Sequence, residues 1–484
     1  MSSTESAIGR ALRRAPWLLV VVGTACASAT SAADPLPTTA TNPDTAGPTQ
    51  TGDVLEAAGP TTSTQIAATT TQPVLPATTA ASTTDPVPSA PEAVVVEDSE
   101  DFDGALDEPS FELGPEVVLD LDLARFAPDD AGQGGTGVAP TGGGATPSSV
   151  VPELTGWAAV DRSLESALLR NGNTAASVAI LIDGDVVHAA AFGVRDPATG
   201  DPVEPEDRFR VASISKTITG IVAMRLVESG QVELDEPIGR RLADHVGLDS
   251  ISPRTESLTL RQLLTHVSGF GKYQSTFFRS GAEDCVDAAR QGLTRGAGGG
   301  GYTYSNMNFC LAGLAIEALT GRSYPEAVYR ELLTPLQISG MRLAPTVDPG
   351  PGEVQHATAP GRNYMETLGG AGSWVASPTE LVTILDSLDL STPGYKPLTA
   401  DGALATVTPS GGSFGQRGYA LGVISYGGGR FGHTGTIEST HAMLLNRGDG
   451  VTWAITVAGP HPSESTALER IMNEAFQAGG FVAG

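Results

Sequence analysis

A serine and a lysine three residues apart, Ser213 and Lys216, are the pair in this chain best placed by type and spacing to do covalent chemistry. They lie in the segment Phe209-Arg-Val-Ala-Ser213-Ile-Ser-Lys216-Thr-Ile-Thr-Gly220. Residues three apart at the start of a helix share a face, so the lysine nitrogen can reach the serine hydroxyl. The helix N-terminus favours negative charge developing on that oxygen. A serine hydroxyl is a weak nucleophile until a neighbouring base takes its proton, and a desolvated lysine can be driven toward the neutral amine that would do so. The chain holds only three lysines, Lys216, Lys272 and Lys396, and uses arginine elsewhere. A lysine kept where an arginine would stay permanently charged suits a titrating role. Ser215 offers a second nearby hydroxyl. The i to i+3 spacing selects Ser213.

Two further segments give the pair a context. Tyr304-Ser305-Asn306 follows roughly ninety residues downstream, ahead of a helical pattern near Cys310, and His433-Thr434-Gly435 falls in a C-terminal β-rich run. In this order, Ser-x-x-Lys, Tyr-x-Asn and His-Thr-Gly, the chain resembles the penicillin-recognising serine hydrolases of the S12 type, among them class C β-lactamases, secreted DD-carboxypeptidases and esterase relatives. Leu258 to Gly269, Leu336 to Met341 and Gly369 to Trp374 also look like that family, and the resemblance runs from about Trp157 to Phe476. It implies roles residue by residue. Ser213 would form an acyl-enzyme, Lys216 and Tyr304 would shuttle its proton, and Asn306 would hydrogen-bond the substrate amide. The backbone N–H groups of Ser213 and Thr436 would form an oxyanion hole, with each donor contributing ~3 kcal/mol. His433 and Thr434 would face the leaving side of the substrate and any carboxylate on it, with Gly435 completing that edge. His266 would be a structural histidine in a turn. His433 stands where β-lactamases carry lysine, which leans toward a carboxypeptidase or esterase acting on a peptide amide or ester, with β-lactamase as the alternative. Glu438, just past the triplet, would disfavour substrates that bear a carboxylate.

Other constellations are weaker. Gly411-Gly-Ser413-Phe-Gly415 matches Gly-x-Ser-x-Gly, and Asp449 and His461 follow in α/β-hydrolase order. That motif belongs between a strand and a helix, whereas Pro409 precedes this one and another strand follows. A sensor or scaffold of the same fold that had lost its nucleophile is the non-enzyme alternative, but Ser213, Lys216 and Tyr304 are all present. The remaining histidines, His188, His245, His356, His441 and His461, show no metal-ligand spacing, so neither metal nor cofactor is expected.

These residues must be positioned by the elements around them. A helix is expected over Trp157 to Leu169, then strands over Ser177 to Ile182 and Val186 to Phe192 around an Asp183-Gly184-Asp185 turn. Strands are expected again over Tyr419 to Tyr426, Arg430 to Thr434, His441 to Asn446 and Val451 to Val457, followed by a helix over Ser463 to Gln477. The middle reads as helical, as over Ile221 to Glu228, Leu260 to Thr265, Cys310 to Leu319 and Pro378 to Leu388. Strands from both ends enclosing a helical middle predict an α+β, β-lactamase/DD-peptidase-like fold over residues 151–484, an antiparallel sheet flanked by helices with an inserted mostly helical subdomain. The cleft between the two parts would take a small molecule or a peptide, including a cell-wall peptide.

The rest of the chain is of a different kind. Residues 1–33 carry Arg10, Arg13 and Arg14 ahead of an apolar run from Trp17 to Ala25 and a small-residue ending, which reads as a secretory signal peptide. The run falls short of the ~20 residues that span a bilayer, so no integral span is expected in the mature chain. Cys26 would admit a lipid anchor. Residues 34–150 hold 19 acidic residues against the single basic Arg125 in a Thr-, Pro- and Ala-rich background, which predicts a disordered tether. A small acidic domain near Val94 to Phe126 is the other reading of that stretch. The acidic pI of about 4.5 disfavours nucleic-acid binding. Secretion or attachment to the cell envelope follows from these segments. In that oxidising compartment Cys285 and Cys310 would pair, worth roughly 3 kcal/mol for a loop of this size, or stay as two buried thiols.

Overall fold

The apolar alternation on either side of Asp183-Gly184 produces a hairpin, β1 (Ala175–Ile182) and β2 (Asp185–Asp196), whose turn residues both take positive φ as the chain's right-handed twist requires. The structure is a computed structural model that describes Leu121, residues 155–297 and residues 300–482. The signal-peptide, lipid-anchor and tether readings lie outside the described residues except at Leu121, which is buried and forms an antiparallel bridge with Val482.

Eight strands form one antiparallel sheet in the order β3-β2-β1-β11-β10-β9-β8-β7. Here β3 is Asp201–Pro202, β7 Gly418–Tyr419, β8 Ile424–Gly427, β9 Arg430–Ile437, β10 Thr440–Asn446 and β11 Val451–Ala458. The first strand therefore pairs with the last, and the chain between β3 and β7 is an excursion from the sheet. β1, β10 and β11 are buried at every position, the signature of strands covered on both faces. The cover comes from α1 (Trp157–Leu168), which packs against the C-terminal helix Ala467–Ala478, and from the helix Pro378–Asp386, which lies on β1, β10 and β11. This is the predicted α+β arrangement.

The excursion is mostly helical. It carries a three-stranded antiparallel sheet, β4 (Phe209–Arg210), β6 (Trp374–Ala376) and β5 (Arg342–Leu343), with β6 in the centre. Next to it runs α2 (Ser215–Glu228), buried over nearly its whole length, and α3 (Cys285–Arg295) packs on α4 (Asn306–Thr320). No helix among the described residues is long and apolar enough to cross a membrane.

Two sequence expectations change. The strand expected over Tyr419 to Tyr426 is two short strands, β7 and β8. The break between them contains Gly422 at φ 84°, whose N–H bonds the Leu264 carbonyl and whose carbonyl accepts the Thr217 hydroxyl at 2.9 Å. A Cβ there would lie 2.5 Å from the Lys216 carbonyl oxygen, so pairing gives way to contact with α2. The last helix begins at Ala467 rather than Ser463, because Ser465 turns its hydroxyl to β9 instead of entering the helix.

Candidate active site

The β4 strand delivers the chain into a sharp turn ahead of α2. Ala212 takes φ 46°, an uncommon value for a residue with a side chain, and Ala212–Ile214 form a single 3-10 turn before α2 begins at Ser215. Strain of this kind persists where the surroundings hold it, and here they do. The Val211 N–H bonds the Trp374 carbonyl on β6, and β9 crosses so closely that a Cβ on Gly435 would collide with the Val211 carbonyl oxygen. The turn leaves Ser213 partly exposed in a cleft. Ser215, the rival hydroxyl, is fully buried and accepts the Trp374 N–H.

Lys216 is completely buried. Its Nζ lies 2.9 Å from Ser213 Oγ, 2.8 Å from Asn306 Oδ1 and 2.8 Å from the Ala371 carbonyl oxygen. Burial drives its pKa well below that of an ordinary lysine. The Tyr304 ring sits 4.9 Å from this nitrogen and lines the same cleft as Ser213. Burial raises the phenol well above its usual range, with Ser213 pulling the other way. The two groups are thus pushed in opposite directions, the amine toward neutrality and the phenol toward staying protonated.

Tyr304 and Asn306 reach the site because α4 starts between them. Ser305 caps that helix, accepting the Met307 N–H and donating to the Gly271 carbonyl at 2.7 Å. His266, in a left-handed turn conformation at φ 59°, holds the same corner from behind: its Nδ1 accepts from the Ser305 N–H and from Asn308 Nδ2. Desolvation depresses its pKa strongly, the Lys216 charge adding to the effect, so the ring is neutral and packs against Tyr304 and Tyr419. Cys285 and Cys310 are joined in a disulfide that ties α3 to α4 one turn past Asn306. The same bridge packs under Gly369, at the start of the turn that presents the Ala371 carbonyl to Lys216.

The third motif is placed differently from expectation. Strand β9 offers Thr436 and Ile437 to the cleft, whereas His433 and Thr434 are buried and do not line it. The His433 Nε2 meets the Tyr419 hydroxyl at 3.1 Å, and burial, with the Lys216 charge second, lowers its pKa to about 3. A neutral ring in that position cannot pair with a substrate carboxylate. Its ring is enclosed by Tyr304 and Tyr419, at a point of β9 just before the Thr436–Ile437 stretch that borders Ser213. Gly435 serves close packing on the nucleophile turn. Glu438 also leaves the cleft: its Oε1 accepts the Ala359 N–H at 3.1 Å, and it lies in the field of Arg210 and Tyr364.

Ser465 was invisible to motif reading. Buried, it shares a hydrogen bond with the Thr436 hydroxyl at 2.7 Å and donates to the Gly435 carbonyl at 2.8 Å, fixing the stretch of β9 that borders Ser213. No local pattern marks it, since both contacts cross about thirty residues of sequence. The α/β-hydrolase constellation is not assembled. Ser413 sits in an exposed loop before β7, Asp449 pairs with Arg447 at 3.0 Å, and the His461 N–H is bonded to Asn173.

Known proteins resemble this chain in sequence and fold. Penicillin-binding protein 4 of Amycolatopsis lactamdurans is 30% identical over 165 residues, covering 33% of this chain and 42% of that protein. Esterase EstB of Burkholderia gladioli is 29% identical over 202 residues, 38% of this chain and 50% of that protein. The chain therefore spans half or less of the length of these relatives. The D-amino acid amidase of Ochrobactrum anthropi SV3, solved with L-phenylalanine amide, shares the fold at a TM-score of 0.52 and 18% identity over 66% of this chain and 98% of its own. The family profile described as Beta-lactamase matches residues 160–476, nearly all of the described domain, and the chain belongs to that family of serine hydrolases.

Proposed function

We propose that this chain is an exported serine hydrolase that forms an acyl-enzyme on Ser213 and acts on an ester or a peptide amide, in the manner of an esterase or DD-carboxypeptidase. The observation that carries the reading is the environment of Lys216 Nζ. Two of its three neighbours, Asn306 Oδ1 and the Ala371 carbonyl, can only accept hydrogen bonds. A neutral amine spends its two N–H groups on them and turns its lone pair to the Ser213 hydroxyl. As Ser213 Oγ attacks the carbonyl carbon, its proton passes to Lys216. The oxyanion is met by the backbone N–H groups of Ser213 and Thr436, and Tyr304, still protonated, supplies a proton to the leaving group. Asn306, at the cleft edge, orients the substrate amide. Water then cleaves the acyl-enzyme, giving a proton to Tyr304 as it attacks, while Lys216 returns its proton to Ser213 Oγ, so all three groups are restored. Export is supported by the leader-like residues 1–33 and by the Cys285–Cys310 disulfide. The test is a hydrolysis panel of 4-nitrophenyl acetate, a D-Ala-D-Ala peptide and nitrocefin on the purified full chain. Ester or peptide turnover that disappears in Ser213→Ala is expected. Nitrocefin as the only substrate turned over would make the chain a β-lactamase, and no Ser213-dependent turnover would leave the sensor or scaffold reading.

A further inference from the structure

The cleft over Ser213 is lined by the polar Tyr304, Asn306 and Thr436 together with the apolar side chains of Phe278, Leu368 and Ile437. None of the lining residues carries a charge. Charged groups close by are held by the protein itself. Glu438, the residue after Ile437, is bound to the Ala359 N–H, and one guanidinium nitrogen of Arg362 donates to the Phe278 carbonyl at 2.6 Å. The apolar lining is preformed. The segment after Phe278 is tied down by Ser280 on the Gly361 carbonyl at 2.6 Å and by Asn363 on the Ala282 carbonyl at 2.7 Å, and Ile437 is fixed by its pairing with Thr440.

Resting on the acyl-enzyme reading above and favouring its esterase side over its carboxypeptidase side, we infer that this cleft selects uncharged esters and amides with an apolar acyl group and rejects substrates that carry a carboxylate beside the scissile bond. A carboxylate entering this cleft loses water and meets no charged side chain among the residues that line it, which is costly. An alkyl group in the same place gains a few-fold in binding for each methylene covered.

The test compares substrates within one protein, so that partial misfolding of a variant cancels. N-acetyl-D-Ala-D-Ala and its C-terminal amide are compared by release of N-acetyl-D-alanine, and 4-nitrophenyl butyrate is compared with the acetate. We expect kcat/KM for the peptide amide to exceed that for the free acid by at least about thirtyfold, and butyrate to exceed acetate several-fold. Ile437→Lys should shift the peptide ratio toward the free acid by about tenfold or more, and Leu368→Ala should erase the butyrate preference. A free acid cleaved as fast as its amide, or a ratio unmoved by Ile437→Lys, overturns the inference while Ser213-dependent ester turnover leaves the hydrolase reading standing. Absence of that ester turnover overturns both.

Discussion

At the scale of the residue, the proposed chemistry depends on one buried nitrogen. Lys216 must be able to lose its proton, so Lys216→Arg, which keeps the charge and cannot titrate, is expected to lower kcat/KM by about 10²- to 10⁴-fold with little change in KM. Because burial lowers the pKa of this lysine, kcat/KM should rise with pH along an acid limb lying well below the titration of an ordinary lysine, the neutral amine being the active form. A limb near an ordinary lysine pKa would remove the base from Lys216. Ser465 acts at one remove, through Thr436 and the Gly435 carbonyl. Its replacement by alanine should cost roughly 1 kcal/mol of transition-state stabilisation, about a fivefold loss in kcat with KM nearly unchanged, and should lower the melting temperature by a few degrees because the Gly435 carbonyl and Thr436 hydroxyl lose a buried partner. The Ser213–Lys216 pair was legible because its geometry is local, set by helical spacing. Tyr304 and Asn306 were legible only through their order along the chain. Ser465 was not, and the buried setting of His433 was not either, because the order of motifs along the chain does not say which stretch of β9 passes Ser213.

At the scale of the element, the site is a meeting of the 3-10 turn before α2, the start of α4 and the edge of β9. Gly435 is the contact that lets the turn and the strand approach. Gly435→Ala places a methyl group against the Val211 carbonyl, and we expect it to destabilise the fold by about 1–3 kcal/mol and to lower acylation far more than a remote substitution of equal destabilisation. Thermal melts and labelling rates on the same samples separate the two effects. The β1–β2 hairpin and the C-terminal strands were plain in the sequence because alternation, turn chemistry and burial agree there. The region from Tyr419 to Tyr426 was not, since apolar residues serve a contact with α2 where they were expected to serve pairing, and only the φ of Gly422 reveals it. The disulfide couples α3 and α4, and so bears on Asn306 and Ala371 together, a link that the spacing of the two cysteines could not express.

At the scale of the whole molecule, the fold stores several histidines as neutral, buried rings. The pKa values of His433 and His356 are lowered to about 3 and that of His441 to about 4, burial being the main cause in each case. Above about pH 6.5 both the folded and unfolded chains hold these rings neutral, and they have no effect on stability. As pH falls toward 3 the unfolded chain takes up protons that the folded one refuses, so each ring costs about 1.4 kcal/mol per pH unit until the folded-state pKa is reached. On top of the gradual loss that Lys216 brings below the ordinary lysine pKa, the decline in melting temperature should therefore steepen near pH 6, before carboxylates titrate, and replacing His356 by glutamine should blunt that steepening. The antiparallel sheet, its helical cover and the inserted middle were legible because chain order alone puts strands at both ends, whereas the uncharged cleft emerges only when segments near residues 213, 278, 304, 368 and 437 converge. The central claim is that Ser213 is the nucleophile and Lys216 its base. The most direct test is intact-mass and peptide mapping of the full chain after treatment with a fluorophosphonate. The account predicts one adduct, on Ser213, absent in Ser213→Ala and formed at least a hundredfold more slowly in Lys216→Arg; an adduct on Ser215 or Ser413, or labelling of Ser213 at an undiminished rate without Lys216, would contradict it.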